Sequence, residues 1–98
     1  MNNELQVERE LKEFIQKHLP LGNLSLEMVK KAVWNENGKP LEAAHKFQDF
    51  FMGYFDQTNA DLDEVLEICN KCWNAFPHNS LDGKSPNQMV ADYKKRQK

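Results

Sequence analysis

The sequence lacks several features that would each define a class of protein. It has two cysteines, too few for the disulfide framework of many small secreted domains. Proline and glycine number four each, which excludes collagen-like and low-complexity chains. No apolar stretch approaches the roughly 18 residues that a membrane-spanning helix needs. Residues 1–4 have no basic segment followed by an apolar one, so we expect no secretory signal and a cytoplasmic protein that does not associate with membranes.

An excess of charge of either sign is also missing. Thirteen basic residues face 15 acidic ones, for a net charge of -2, which disfavours a protein that binds nucleic acid mainly by neutralising phosphates. The charges are nevertheless unevenly placed, with an acidic stretch from Asp56 to Glu67 and a basic tail at Lys94–Lys98. Acids near a helix start and bases near a helix end complement the helix dipole. Docking of a partner is the alternative explanation for both clusters.

Prolines and glycines divide the chain into blocks whose apolar residues recur at helical spacing. Helices are predicted over residues 3–19, 25–35, 40–57, 60–76 and 86–96, and no segment alternates with the two-residue period of a strand. The sequence therefore predicts an all-α fold, a compact bundle of about five helices that forms a single domain over residues 1–98. Its predicted core consists of Leu11, Phe14, Ile15, Val29, Val33, Phe47, Phe51, Tyr54, Leu62, Leu66, Cys69, Trp73 and Phe76.

The spacing Cys69-x-x-Cys72, with His78 shortly after it, makes these three residues candidates for a metal site. A structural zinc ion usually takes four ligands, so His18 or His45 would have to contribute from another helix. Free cysteines are commonly small buried core residues, and that interpretation is the simpler one here. We therefore predict no metal and no other cofactor.

Catalytic motifs are missing as well. The chain has no GxSxG, no phosphate-binding glycine loop and no HExxH, so we do not expect an enzyme. His45 and Asp49 stand four residues apart, a spacing typical of a pair on a helix surface. A helix-turn-helix at the junction of the first two helices would offer only Lys30 and Lys31 as clustered bases.

The start of the last predicted helix carries a complete set of signals. Ser85 is placed to cap it, Pro86 suits its first position, and Gln88 lies three residues after the cap, as in a capping box. Before it, Pro77 should end the fourth helix.

Residues 73–89 resemble the C-terminal tail segment of bacterial insertion-sequence transposases and integrases, and a similar segment is found in small uncharacterised microbial proteins. In that family a tryptophan or tyrosine and an asparagine precede a Pro-His pair, and a leucine, a glycine and a Thr-Pro or Ser-Pro helix start follow. This chain departs from the pattern at Phe76, where arginine is usual, and at Asp82, where glycine is usual. The three-carboxylate catalytic domain of those enzymes is far larger than the rest of this chain, so no catalytic residue carries over. The resemblance implies a structural connector made of Trp73, Asn74, Pro77, His78, Leu81, Gly83, Ser85 and Pro86. In this connector we expect His78 and Asn79 to hydrogen bond carbonyls exposed at the end of the fourth helix, and Leu81 to fill the core.

Together these features predict a protein–protein interaction or regulatory module whose partner is another protein or a second copy of the chain. Met89, Val90 and Tyr93 form a small apolar face for docking on the last helix. The alternative is an accessory nucleic-acid-binding domain associated with a mobile element.

Overall fold

The computed structural model describes residues 3–19, 22–36, 38–56 and 58–96. Five α-helices and one short 3₁₀ turn at Asn79–Leu81 occur in these residues, and no strand does. The predicted all-α fold is thereby confirmed. The helices are α1 (Glu4–His18), α2 (Leu26–Trp34), α3 (Pro40–Gly53), α4 (Leu62–Ala75) and α5 (Pro86–Arg96). The predicted end of the third helix at Gln57 and the last two residues of the basic tail, Gln97 and Lys98, lie outside the described residues.

The first two helices begin where local side chains satisfy free backbone N–H groups, and the third begins at a proline. The Oδ1 atom of Asn3 accepts from the Gln6 N–H at 2.7 Å, and the Oγ atom of Ser25 accepts from the Met28 N–H at 3.2 Å. Helix α3 has Pro40 at its first position, where the missing N–H of proline costs nothing. These signals explain why the observed starts of α1 to α3 agree with the predicted ones to within one residue.

Helix α4 begins two residues later than predicted. The side chain of Asp61 caps it by accepting from the Asp63 N–H at 3.0 Å. Thr58 instead closes the turn before the helix, because its hydroxyl donates to the Phe55 carbonyl at 2.8 Å and accepts from the Ala60 N–H at 3.2 Å. A threonine engaged in this turn cannot start the helix.

Helix α3 ends at Gly53, four residues before its predicted end. The N–H groups of Tyr54 and Phe55 donate to carbonyls three residues back, at 3.3 and 2.9 Å, so the chain tightens into a 3₁₀-type turn. Glycine is a poor helix former, which favours a helix end at this position. The tightened turn still places Phe55 in the core.

An aromatic stripe from α3 and the turn after it forms the centre of the core. The predicted core included its members Phe47 and Phe51 but omitted Phe55. Phe47, Phe51 and Phe55 are at most 5% exposed. The Phe55 ring lies 5.1 Å from the ring of Phe14 in α1, and the Phe47 ring lies 5.4 Å from the ring of Trp73 in α4. Packing of three helices therefore accounts for the concentration of aromatic residues.

Helix α4 is central, because it contacts each of the other four helices. Small side chains face its neighbours and allow close approach, namely those of Val65, Cys69, Cys72 and Ala75. The prediction of the α4 core was wrong at Leu62, which is 58% exposed. Ile15, Tyr54, Leu66 and Trp73 are only partly buried. Buried residues that the predicted core omitted are Val7, Leu19, Leu24, Ala43, Phe55, Val65, Cys72 and Ala75.

Two lysines connect helices through pairs of glutamates. Lys30 of α2 lies 2.6 Å from Glu4 and 2.7 Å from Glu8, both on α1, and its Nζ atom lies 5.5 Å from the centre of the Phe76 ring. Burial alone would lower the pKa of Lys30, but the hydrogen bonds and charges of the two glutamates outweigh it and the pKa is raised. Lys71 of α4 similarly connects to α1, through Glu10 at 3.5 Å.

None of the helices in the described part of the chain is long and apolar enough to cross a bilayer.

Candidate functional site

The segment between α4 and α5 begins where a proline stops the helix. Phe76 has φ -91° and ψ 150°, the extended conformation that a following proline favours, and Phe76 itself is fully buried. Its N–H still donates to the Cys72 carbonyl at 3.0 Å. The last turn of α4 is thus satisfied in part by the backbone, and the carbonyl of Trp73 remains for another donor.

His78 supplies that donor. Its Nε2 atom lies 2.7 Å from the Trp73 carbonyl oxygen, and because a carbonyl only accepts, Nε2 carries the proton. The imidazole is 2% exposed and meets the Trp73 ring edge-on, at 4.4 Å between ring centres and 89° between planes. The predicted bond from His78 to an exposed carbonyl of α4 is confirmed.

Backbone hydrogen bonds close the loop from His78 to Lys84 on itself. The His78 N–H donates to the Lys84 carbonyl, and the Gly83 N–H donates to the His78 carbonyl, both at 3.0 Å. Asp82 and Gly83 both have positive φ, 55° and 83°, which glycine adopts freely and aspartate tolerates. Leu81 is only partly buried, so the prediction that it fills the core was wrong. The 3₁₀ turn holds it at the rim of the bundle.

The carboxylate of Glu36, just after α2, holds this loop against the bundle. Its side chain is 7% exposed, and its Oε1 atom accepts a hydrogen bond from the Ser80 hydroxyl and lies 3.9 Å from the Nδ1 atom of His78. The ring of Trp34 lies close to Gly83, because a Cβ placed on that glycine would lie 3.8 Å from it. Glu36 was not among the predicted site residues, since it stands in a polar turn and its partners are more than 40 positions away.

This cluster is not arranged as a nucleophilic site. In such a site an imidazole lies between the hydroxyl and the carboxylate and moves a proton between substrate and nucleophile. Here the carboxylate lies between Ser80 and His78, and the imidazole Nε2 is engaged by a main-chain carbonyl. A cleft of about 340 Å³ between α2 and α3 includes Glu36 in its lining, but neither His78 nor His45 lines it. The arrangement fixes a loop.

The metal candidates are not brought together. Cys69 and Cys72 are buried free thiols, and no three His, Cys, Asp or Glu side chains in the described ranges form a group that could hold a metal ion. Burial raises the pKa of the Cys69 thiol to about 12 and that of the Cys72 thiol still further. Thiols held in the protonated form are poor nucleophiles and poor metal ligands.

The capping box at the start of α5 is confirmed. The Ser85 hydroxyl accepts from the Gln88 N–H at 3.1 Å, and the Gln88 side-chain oxygen accepts from the Ser85 N–H at 2.7 Å. Ser85 is 3% exposed, so this reciprocal pair lies inside the junction. It sets the direction in which α5 leaves the loop.

Helix α5 differs from the other four helices because none of its 11 residues is buried. It packs on α4, and its inner side lines a cleft of about 240 Å³ with Asn87, Gln88 and Ala91. Its large apolar residues remain in contact with solvent. Met89 is 43% exposed, Val90 is 47% exposed and Tyr93 is 61% exposed.

The charges of α5 are mostly positive. Lys94, Lys95 and Arg96 in its last turn are exposed. Asp92, the single acid of the helix, lies 2.9 Å from Lys84. The hydrogen bond and charge of Lys84, with smaller contributions from Lys95 and Arg96, lower the pKa of Asp92.

Comparison of the chain with protein-family models, curated proteins and solved structures found no match. The fold defines the class of protein, a small all-α bundle.

Proposed function

We propose that this chain is a cytoplasmic protein–protein interaction module that docks through α5. The docking surface, called the α5 face below, consists of Met89, Val90 and Tyr93. The single observation that carries the proposal is that all three large apolar side chains of α5 are between 43% and 61% exposed, while Pro86, Asn87, Ala91 and Asp92 are partly buried. Helices that serve only the core have the opposite arrangement.

The free energy gained by burying the α5 face is comparable to the smallest costs of protein association. Burying the exposed parts of Met89 and Val90 contributes about 1 kcal/mol each, given about 1.5–3 kcal/mol for a fully buried side chain of this kind. Tyr93 adds about 2–4 kcal/mol, from about 150–250 Å² of area per aromatic residue. The total of about 4–6 kcal/mol only just reaches the low end of the cost of association. Contacts beyond the α5 face must therefore contribute.

A binding role is also favoured over a catalytic one by the chemistry of the buried groups. The imidazole of His78 holds a backbone carbonyl, and the two thiols are protonated. The connector that resembles the transposase tail serves, in this proposal, to fix α5 at a defined angle. A rigidly held helix loses little conformational freedom on binding, which favours affinity.

The test compares two double variants that each replace two exposed apolar residues, and the control pair is the more exposed of the two. Met89→Ser with Val90→Ser disrupts the α5 face, and Leu5→Ser with Leu41→Ser is the control, because those leucines are 73% and 69% exposed on other helices. The wild-type chain is first immobilised, and the proteins of the source cell that bind it are identified and purified. Calorimetry then measures how tightly each of them binds the wild type, the α5 double variant and the control. We expect the α5 double variant to weaken binding at least about tenfold and the control to change it less than about twofold. Equal weakening by both would refute the assignment to α5.

Nucleic-acid binding remains the second candidate, because three basic residues are exposed at the end of α5. Opposing it, Lys30, a member of the only basic pair of α2, is held by two glutamates. The measurement is a titration with duplex and single-stranded DNA from about 50 mM salt upward, where phosphate contacts are strongest. Binding that falls steeply with salt would support this candidate, and no binding at low salt would eliminate it.

A further inference from the structure

The positions of the basic residues on α5 indicate the chemistry of its partner. At 100° per residue, Arg96 follows Met89 by seven residues and Tyr93 by three, so it continues the stripe of the α5 face. Lys94 follows Val90 by four residues and lies at the edge of the stripe. Lys95, which is also exposed, follows Ala91 by four residues and therefore lies on the side of the helix opposite the α5 face.

We infer that the α5 face binds an acidic amphipathic segment of a partner protein, whose apolar residues cover Met89, Val90 and Tyr93 and whose carboxylates meet Arg96 and Lys94. This inference rests on the proposed function and specifies its partner. The surface offers apolar contact at its beginning and two exposed cations at its end.

The state of Asp92 leaves the positive charge available. Asp92 is the one acid on α5, and Lys84, from the preceding loop, lies 2.9 Å from it. Because Lys84 is the main partner of Asp92 and the charge of Arg96 acts on that carboxylate less strongly, Arg96 and Lys94 can both meet an incoming carboxylate. Arginine and carboxylate also match in shape, since two N–H groups of the guanidinium can donate to the two carboxylate oxygens.

The same arrangement suits other partners less well. A nucleic-acid backbone presents phosphates at regular intervals, whereas the first two turns of α5 carry no basic residue. An anionic membrane surface favours a helix with a broad apolar face along its length, and the α5 face has three residues. A peptide that combines apolar and acidic residues meets both parts of this surface.

The experiment uses the full chain and three labelled helical peptides. All three have leucines at the same i, i+3, i+4 and i+7 positions, and their remaining positions carry glutamate, glutamine or lysine. Fluorescence anisotropy measures binding from about 50 mM to about 500 mM salt, a range over which surface charges become screened. We expect the glutamate peptide to bind most tightly and its affinity to fall as salt rises, the glutamine peptide to bind more weakly, and the lysine peptide to bind least.

Two adjacent residues supply a matched pair of variants. Arg96→Glu and Lys95→Glu change charge by the same amount in the same helical turn, and they differ in the side of the helix they affect. We expect Arg96→Glu to weaken binding of the glutamate peptide about fivefold or more, and Lys95→Glu to change it less than about twofold. Circular dichroism verifies that both variants keep the helical content of the wild type.

Several results would overturn the inference. Equal effects of Arg96→Glu and Lys95→Glu, or no binding of the glutamate peptide, would remove the basis for an acidic partner. Equal binding of all three peptides that still depends on Met89 and Val90 would leave the docking function intact and reject only its acidic specificity. Oligomers of the chain alone that Arg96→Glu dissociates would assign the surface to a second copy. Tighter binding to DNA or anionic vesicles, with the same dependence on Arg96, would assign it to a phosphate ligand.

Discussion

Replacement of His78 tests how the connector is held. The imidazole makes two separable contacts, a hydrogen bond from Nε2 to the Trp73 carbonyl at 2.7 Å and an edge-on contact with the Trp73 ring at 4.4 Å. Phenylalanine at this position keeps an aromatic ring, somewhat larger than imidazole, but has no N–H to donate. Alanine removes both contacts and leaves a void, because the residue is 2% exposed.

The expected losses of stability differ between the two variants. His78→Phe leaves a part-buried carbonyl without its donor, at a cost of about 1–3 kcal/mol. His78→Ala adds the loss of the ring contact, about 0.5–1.5 kcal/mol, and the cost of the void, for a total of about 3–5 kcal/mol. A domain of 98 residues has a free energy of unfolding of about 5–15 kcal/mol, so the alanine variant loses at least about a fifth of it.

Urea unfolding followed by circular dichroism measures the free energy of unfolding of the wild type and of each variant. We expect this free energy to decrease in the order wild type, His78→Phe, His78→Ala. A phenylalanine variant within about 0.5 kcal/mol of the wild type would show that the bond to the Trp73 carbonyl contributes nothing. Equal stabilities of the two variants would show the same for the ring contact.

Three further changes probe other parts of the fold, each by urea unfolding. Lys30→Met should cost about 0.5–1.5 kcal/mol, because it leaves two glutamates of α1 side by side, whereas Lys31→Met, which alters an exposed neighbour, should cost less than about 0.5 kcal/mol; equal costs would contradict the bridging role. Ser85→Ala should cost about 1 kcal/mol through loss of the cap, and no cost would contradict its role in starting α5. Above pH 9.0 the thiols of Cys69 and Cys72 keep their protons in the folded state and lose them in the unfolded state. The free energy of unfolding should therefore fall as pH rises from 9.0 toward about 12, by about 1.4 kcal/mol per pH unit for each thiol. A variant with alanine at both positions should lack this contribution to the pH dependence.

The features that were predictable from the sequence depend on residues close together in the chain. The caps at Ser25 and Ser85, the helix stop before Pro77 and the aromatic stripe from Phe47 to Phe55 are each specified within about ten residues, and the structure has all of them. Each follows from backbone geometry or helical periodicity alone. The spacing also indicated Met89, Val90 and Tyr93 as a face for docking, but spacing alone does not tell whether such a face meets the bundle or solvent.

The features that were missed depend on packing between distant segments. Helical periodicity showed that α4 has a broad apolar side, but the neighbours on every side of α4 decide which of those residues are buried. Val65 and Cys72 are consequently in the core, and Leu62 is not. Glu36 was missed for the same reason, because only the fold brings a polar turn after α2 against His78.

The central place of α4 has a consequence for synthesis of the chain. Helices α1, α2 and α3 each bury residues against a helix that occupies residues 62–75. Until those residues have left the ribosome, the aromatic stripe of α3 lacks Trp73 and α1 lacks its main neighbour. The first half of the chain therefore emerges with exposed apolar faces, the state in which chaperones bind and aggregation begins. We therefore expect the bundle to fold only after the fourth helix has been synthesised. A polypeptide released before that point would be a substrate for quality control.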